Sequence, residues 1–241
     1  MEFRNIVLSC LMAASFVCCE INQVSVTPSR EISTDEYSFS GYSNLSISHA
    51  FNVQVIFSDT EESVVIEANE NLHQYIKVVK DGYSLSIGLD NNVRIKGNAT
   101  LKAYVTTKAL NNFSASGASH ITVKNVISQT DVVIDLSGAS YFIGEIQTEE
   151  LKVDLSGASE ITISGFTDEC FISASGASRF RDYSLTTDFL YADISGASSV
   201  YISINKEISI EASGASMLYY RGQAFPISQD LSGGSKIIKT E

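Results

Sequence analysis

The stretch Leu151-Lys152-Val153-Asp154-Leu155-Ser156-Gly157-Ala158-Ser159-Glu160-Ile161-Thr162-Ile163 decides the fold. Leu151, Val153 and Leu155 alternate with polar residues into a corner of four small residues, and Ile161 and Ile163 resume the alternation beyond it. Alternation is the period of a strand with one buried face. Glycine at the corner supplies a bend that a side chain would strain. The same tetrapeptide begins at Ser116, Ser137, Ser156, Ser175, Ser195 and Ser213, and Ser232-Gly233-Gly234-Ser235 closes the series. The steps between successive corner glycines are 21, 19, 19, 20, 18 and 19 residues.

No segment between corners has helical spacing, which excludes βαβ units. A period near twenty leaves a parallel solenoid or an antiparallel sandwich of hairpins. Only stacking, which sets each corner over its own copy at about 4.8 Å, gives a reason for the same four residues to recur. The predicted fold is all-β: a right-handed parallel β-helix with coils of about 19–20 residues and wider, irregular N-terminal coils. The corner serines are expected to form a hydrogen-bonded column and the alanines a dry one. Two columns should face inward. One is Ala115, Leu136, Leu155, Ala174, Ile194, Ala212 and Leu231; the other is Ile121, Phe142, Ile161, Phe180, Val200, Leu218 and Ile237. Cys170 shares the inward parity of Ile172 and Ala174 and reads as a buried small hydrophobe.

The segment Leu45–Val55 reads as a degenerate copy of the unit, with His49 in the glycine's place. Strand-like runs follow at 63–67, 75–79, 83–89 and 101–106, with a turn at Asp81-Gly82. Together with Phe51-Asn52-Val53-Gln54-Val55, Glu61-Glu62-Ser63-Val64 and Leu101–Thr106, the serine-glycine repeats resemble the autotransporter-adhesin head domain, or head-GIN domain, of Bacteroidetes lipoproteins. The resemblance spans about residues 41–239. It implies a β-helical cell-envelope protein with an adhesin-like role, and it transfers no catalytic residue.

The chain begins as an exported one. A single positive side chain, Arg4, precedes an apolar run from Ile6 to Val17 that ends at Cys18-Cys19. Such a run is too short to span a bilayer and suits a leader peptide. The cysteines resemble a lipidation site, at Cys19 or at Cys18. The expected organisation is a leader over residues 1–18, a polar tether over 19–40, a β-rich N-terminal cap and first coils over 41–112, and regular coils over 113–241, continuous with the cap. Location would be the outer membrane, on the cell surface or facing the periplasm, with membrane contact only through the lipid.

Of 241 residues, 28 are acidic and 16 are Lys or Arg, for a formal charge of −12. That balance repels phosphate backbones and argues against nucleic acid as a partner. Outward columns carry the candidate sites. Three residues before each glycine stand Ser114, Asp135, Asp154, Ser173, Asp193, Glu211 and Asp230, an acidic ladder. Stacked carboxylates repel one another and raise each other's pKa values. Ca²⁺ could relieve them, with Asp135 and Asp154 as the candidate pair, although the repeats carry no calcium motif and no cofactor is expected. Three residues after each glycine, Glu160 and Arg179 lie one rung apart and are expected to pair, with His120 two rungs from Glu160. Two places further, Tyr201 and Tyr219 occupy adjacent rungs and could offer flat faces to a sugar.

No phosphate loop, zinc spacing or nucleophile elbow occurs. The leading expectation is a non-enzymatic envelope lipoprotein that binds a glycan or an envelope protein through these faces. The alternatives are a pectinase-like polysaccharide lyase or hydrolase using Asp154 or Asp193, and a structural spacer.

Overall fold

The computed structural model describes residues 23–241. The expected leader and both candidate lipidation cysteines lie outside the described residues. The fold is a parallel β-solenoid of about seven turns. Its longest strands, Tyr141–Leu155 and Glu160–Ala174, run parallel and in register, so that Asp154 faces Ser173 and Leu155 faces Ala174. The register carries on through Ser173 with Asp193, Asp193 with Glu211, and Glu211 with Asp230.

The corners stack through the backbone. Ala158 donates its N–H to the Gly138 carbonyl, Ala177 to Gly157 and Ala197 to Gly176, each at 2.7 Å. Such close approach demands glycine. Gly176 has φ +76°, and a Cβ built there would lie 2.4 Å from the Gly157 oxygen. The expected columns at the corner need correction. Most last serines are tied inside their own corner, as when the Ser159 hydroxyl donates to the Ser156 carbonyl at 2.7 Å and Ser178 to Ser175 at 2.7 Å. The alanines Ala139, Ala158, Ala177 and Ala197 face solvent. A positive-φ glycine turns the next residue outward, so small size at the alanine position is not imposed by burial.

Both inward columns are buried along the stack; Leu231 and Ile237, on the last rung, are partly exposed. Phe51, Phe113, Phe142 and Phe180 are the largest of the fully buried side chains, and Phe113 meets Phe142 edge-on at 5.3 Å. Cys170 is fully buried, and burial pushes its thiol pKa far up. The final strands, Phe225–Leu231 and Lys236–Lys239, are paired on one side only.

The N-terminal end departs from a simple progression of coils. Asn44–Ile47 pairs with Asn112–Ala115 on one side and with Ser84–Leu89 on the other. Asn52–Phe57 likewise lies between His120–Val123 and Leu101–Thr107. The coil built from residues 84–107 therefore sits outside the coil built from residues 44–57, and stack order differs from chain order. Antiparallel strands then close this end. Ile76–Asp81 folds back on Ser84–Leu89 through the expected Asp81-Gly82 turn, while Ser63–Asn69 pairs with Leu101–Thr107 and Ile32–Tyr37 in turn with Ser63–Asn69. The predicted tether is also corrected. Val24–Val26 pairs with Val93–Ile95 in a separate two-stranded sheet, and Ile32–Tyr37 is an edge strand of the main sheet, so the described part of that segment contributes strands to the fold.

His49 does occupy the glycine position. Both His49 and Ala50 have φ +62°, whereas the regular corners hold only their glycine there. The ring Nδ1 accepts the Leu89 N–H at 3.3 Å and lies 2.8 Å from the Ser48 hydroxyl. These bonds offset part of the cost of a left-handed non-glycine residue.

Candidate functional site

Two outward faces flank the corners. On the strand entering each corner, the acidic ladder stands in register, with Asp135 over Asp154, and Ser173 interrupts it between Asp154 and Asp193. Burial raises the Asp135 pKa, and the Asp154 charge raises it further. Among the described residues no group of three or more His, Cys, Asp or Glu side chains gathers closely enough to hold a metal ion. The pair Asp135 and Asp154 thus has no third carboxylate beside it.

A raised carboxyl pKa means that the folded state holds the proton more tightly than the unfolded chain. Ionised Asp135 therefore subtracts stability at neutral pH, and that penalty fades as pH falls through the folded-state pKa toward the unfolded value. Asp135→Asn should be more stable than wild type at pH 7. The difference should shrink in urea titrations near pH 3. A deficit for the variant at pH 7 would contradict this electrostatic account.

Beside the ladder runs a column that the sequence reading passed over. Five residues before successive glycines stand Lys152, Phe171, Tyr191 and Ser209, in register. The Phe171 and Tyr191 rings stack at 4.8 Å with an 11° interplanar angle, and the Lys152 ammonium stands 5.5 Å from the Phe171 centroid. With Asp154, Asp193 and Glu211 these side chains border a groove of about 460 Å³. The signal was present: every outward column repeats, and this one holds two aromatics on adjacent rungs.

On the strand leaving each corner lies the second face. Tyr201 and Tyr219 pair in register, and their rings stack at 4.6 Å and 5°. Tyr183 adds a third ring, edge-on to Tyr201 at 5.7 Å and 84°. It comes from the irregular link between Arg179–Arg181 and Leu185–Ile194, where Asp182 has φ +59° and accepts the Ser184 N–H at 2.7 Å. No repeat column contains Tyr183, so column reading could not find it. The Arg221 guanidinium lies 4.1 Å from the Tyr183 centroid. A cleft of about 690 Å³ opens between Thr162, Arg179, Arg181, Asp182, Tyr183, Ser199 and Tyr201. Burial raises the Tyr201 pKa, Tyr219 and Tyr183 add to the rise, and Arg179 and Arg181 oppose it. The phenol is a neutral hydrogen-bond donor at physiological pH.

The expected Glu160–Arg179 pair is replaced by another. Glu160 and Arg179 are indeed register neighbours, but the Glu160 carboxylate takes the Arg181 Nε at 2.7 Å. Arg179 makes no ion pair among the described residues and borders the cleft. His120 packs edge-on against Tyr141 at 5.9 Å, and Tyr141 occupies the rung between His120 and Glu160. His120, Glu160 and Arg179 therefore do not converge as an acid/base set.

A family model described as "Putative auto-transporter adhesin, head GIN domain" matches residues 41–224. No curated protein sequence matches the chain. Several solved structures resemble it. A "putative adhesin" from Bacteroides fragilis superposes with TM-score 0.79 at 18% identity, covering 89% of this chain and 97% of that one. A "putative lipid binding protein" from Parabacteroides distasonis gives 0.75 at 15%, covering 90% and 100%. A "putative adhesin" from the same organism gives 0.72 at 14%, covering 90% and 100%. At these identities the likeness is one of fold. No helix among the described residues is long and apolar enough to cross a membrane.

Proposed function

Since the chain belongs to the auto-transporter adhesin head GIN family, we propose that it is a lipid-anchored envelope protein that binds glycans through its tyrosine face. The observation that carries this reading is the face-to-face stack of Tyr201 and Tyr219, with Tyr201 at the wall of the cleft. Pyranose rings present C–H faces that pack on aromatic surfaces, and their hydroxyls need directional polar partners. The rigid stack supplies the aromatic surface, while Thr162, Ser199 and the tyrosine hydroxyls supply the partners. Both tyrosines are held by strand pairing, so little ordering entropy is lost on binding.

A glycan array followed by titration calorimetry tests the reading. Tyr201→Ala/Tyr219→Ala should weaken binding about tenfold or more, while Asp154→Asn/Asp193→Asn on the other face leaves it unchanged. Thermal melts of both variants separate lost contact from lost fold. Glycan affinity that survives the tyrosine substitutions, or no affinity for any glycan, would defeat the proposal.

The anchor would be the Cys19 thiol, or that of Cys18, following the apolar leader core. Cells fed labelled palmitate should yield a labelled protein, and the label should vanish in Cys18→Ala/Cys19→Ala. A wild-type chain that takes up no label would refute the anchor.

A further inference from the structure

The chain carries only six arginines, and three of them, Arg179, Arg181 and Arg221, lie on the tyrosine face. Around them stand two carboxylates, Glu160 and Asp182. The local balance is three positive against two negative, in a chain that is −12 overall. Across the corner, the ladder of Asp135, Asp154, Asp193, Glu211 and Asp230 has the opposite sign.

The three guanidiniums are not equivalent. Arg181 is engaged by Glu160 at 2.7 Å. Arg221 lies over the Tyr183 ring at 4.1 Å, a contact that orients the cation without neutralising it. Arg179 is exposed, makes no ion pair among the described residues, and stands on the rung next to Ser199 at the cleft wall. A planar fork left free beside an aromatic stack matches a carboxylate presented from a ring lying on that stack.

We infer that the saccharide bound on Tyr201 and Tyr219 is acidic, with its carboxylate received by Arg179 and the field of Arg221 assisting. This inference rests on the glycan reading above and narrows it to uronate- or sialate-type sugars. Arg181, already neutralised by Glu160, holds the cleft wall rather than the ligand.

The test uses matched acidic and neutral probes on the intact protein: oligogalacturonate against its fully methyl-esterified form, and sialyllactose against lactose. At least one acidic member should bind about tenfold more tightly than its neutral counterpart at low salt. The preference should narrow as salt rises. Arg179→Gln should bring the acidic probe to the affinity of the neutral one and leave neutral binding unchanged, while Arg94→Gln, away from the cleft, should alter neither. Equal tyrosine-dependent affinity for acidic and neutral probes would overturn the acid inference and preserve glycan binding. No binding of any probe, with none on a wider array, would overturn both. An acid preference that persists in Arg179→Gln would remove Arg179 from the site. Melting curves that match wild type exclude misfolding as the cause of any loss.

Discussion

Gly176→Ala should lower the unfolding free energy by about 2–5 kcal/mol, the sum of a left-handed backbone penalty and overpacking. Gly176 sits at φ +76°, so an alanine there is strained before any neighbour is considered. Its Cβ would also lie 2.4 Å from the Gly157 carbonyl oxygen. That oxygen cannot retreat freely, because it accepts the Ala177 N–H at 2.7 Å. Gly82→Ala separates the two contributions. Gly82 has φ +54° with nothing within 4 Å of a built Cβ, so only the backbone penalty of about 1–2 kcal/mol applies. Urea unfolding of the three proteins gives the comparison. Equal losses at the two sites would show that the corners are not in close stacking contact.

The second large effect is expected from the core. Phe142→Ala should cost about 3–5 kcal/mol, through lost transfer energy and an unfilled cavity. Phe142 is fully buried and meets Phe113 edge-on at 5.3 Å. Its ring also fills the space beside Gly144, where an added Cβ would come within 3.0 Å of Cε1. The interior is a narrow column between parallel sheets, so neighbouring coils are pinned by backbone bonds and cannot collapse into the gap. Phe142→Leu, which restores much of the volume, should recover more than half of the loss. A Phe142→Ala cost below about 1 kcal/mol would mean that this column is loosely packed.

What the sequence made legible follows from the repeat. In-register stacking turns each repeat position into a column, so one reading of parity places Leu155, Ile161 and Cys170 inside and Asp154 and Tyr201 outside. The stack of Tyr201 on Tyr219 was readable for the same reason. The N-terminal stack order was not, because parity says which face a residue takes and nothing about which strand pairs with which. Leu45–Val55 could be recognised as a coil, but not that residues 84–107 would lie outside it. Side-chain choices escaped as well. Glu160 and Arg179 are one rung apart, yet Arg181 reaches the carboxylate, since long side chains span a rung and two residues along the strand. Tyr183 stands in an irregular link, where no period assigns it a face.

The corner alanines permit the most direct test of the stack on which both faces depend. Ala139, Ala158, Ala177 and Ala197 are exposed, whereas native Cys170 is buried and inaccessible to labelling. Cysteines introduced in pairs at Ala158/Ala177 and at Ala139/Ala197, each labelled with pyrene, report corner separation through excimer emission. Parallel coils place neighbouring corners about 4.8 Å apart and corners three rungs apart about three times as far. Strong excimer emission from Ala158→Cys/Ala177→Cys and little from Ala139→Cys/Ala197→Cys is the predicted result. Emission absent from Ala158→Cys/Ala177→Cys but present in Ala158→Cys/Ala197→Cys would mean that the corners alternate in direction, and would contradict the parallel stack and its continuous faces.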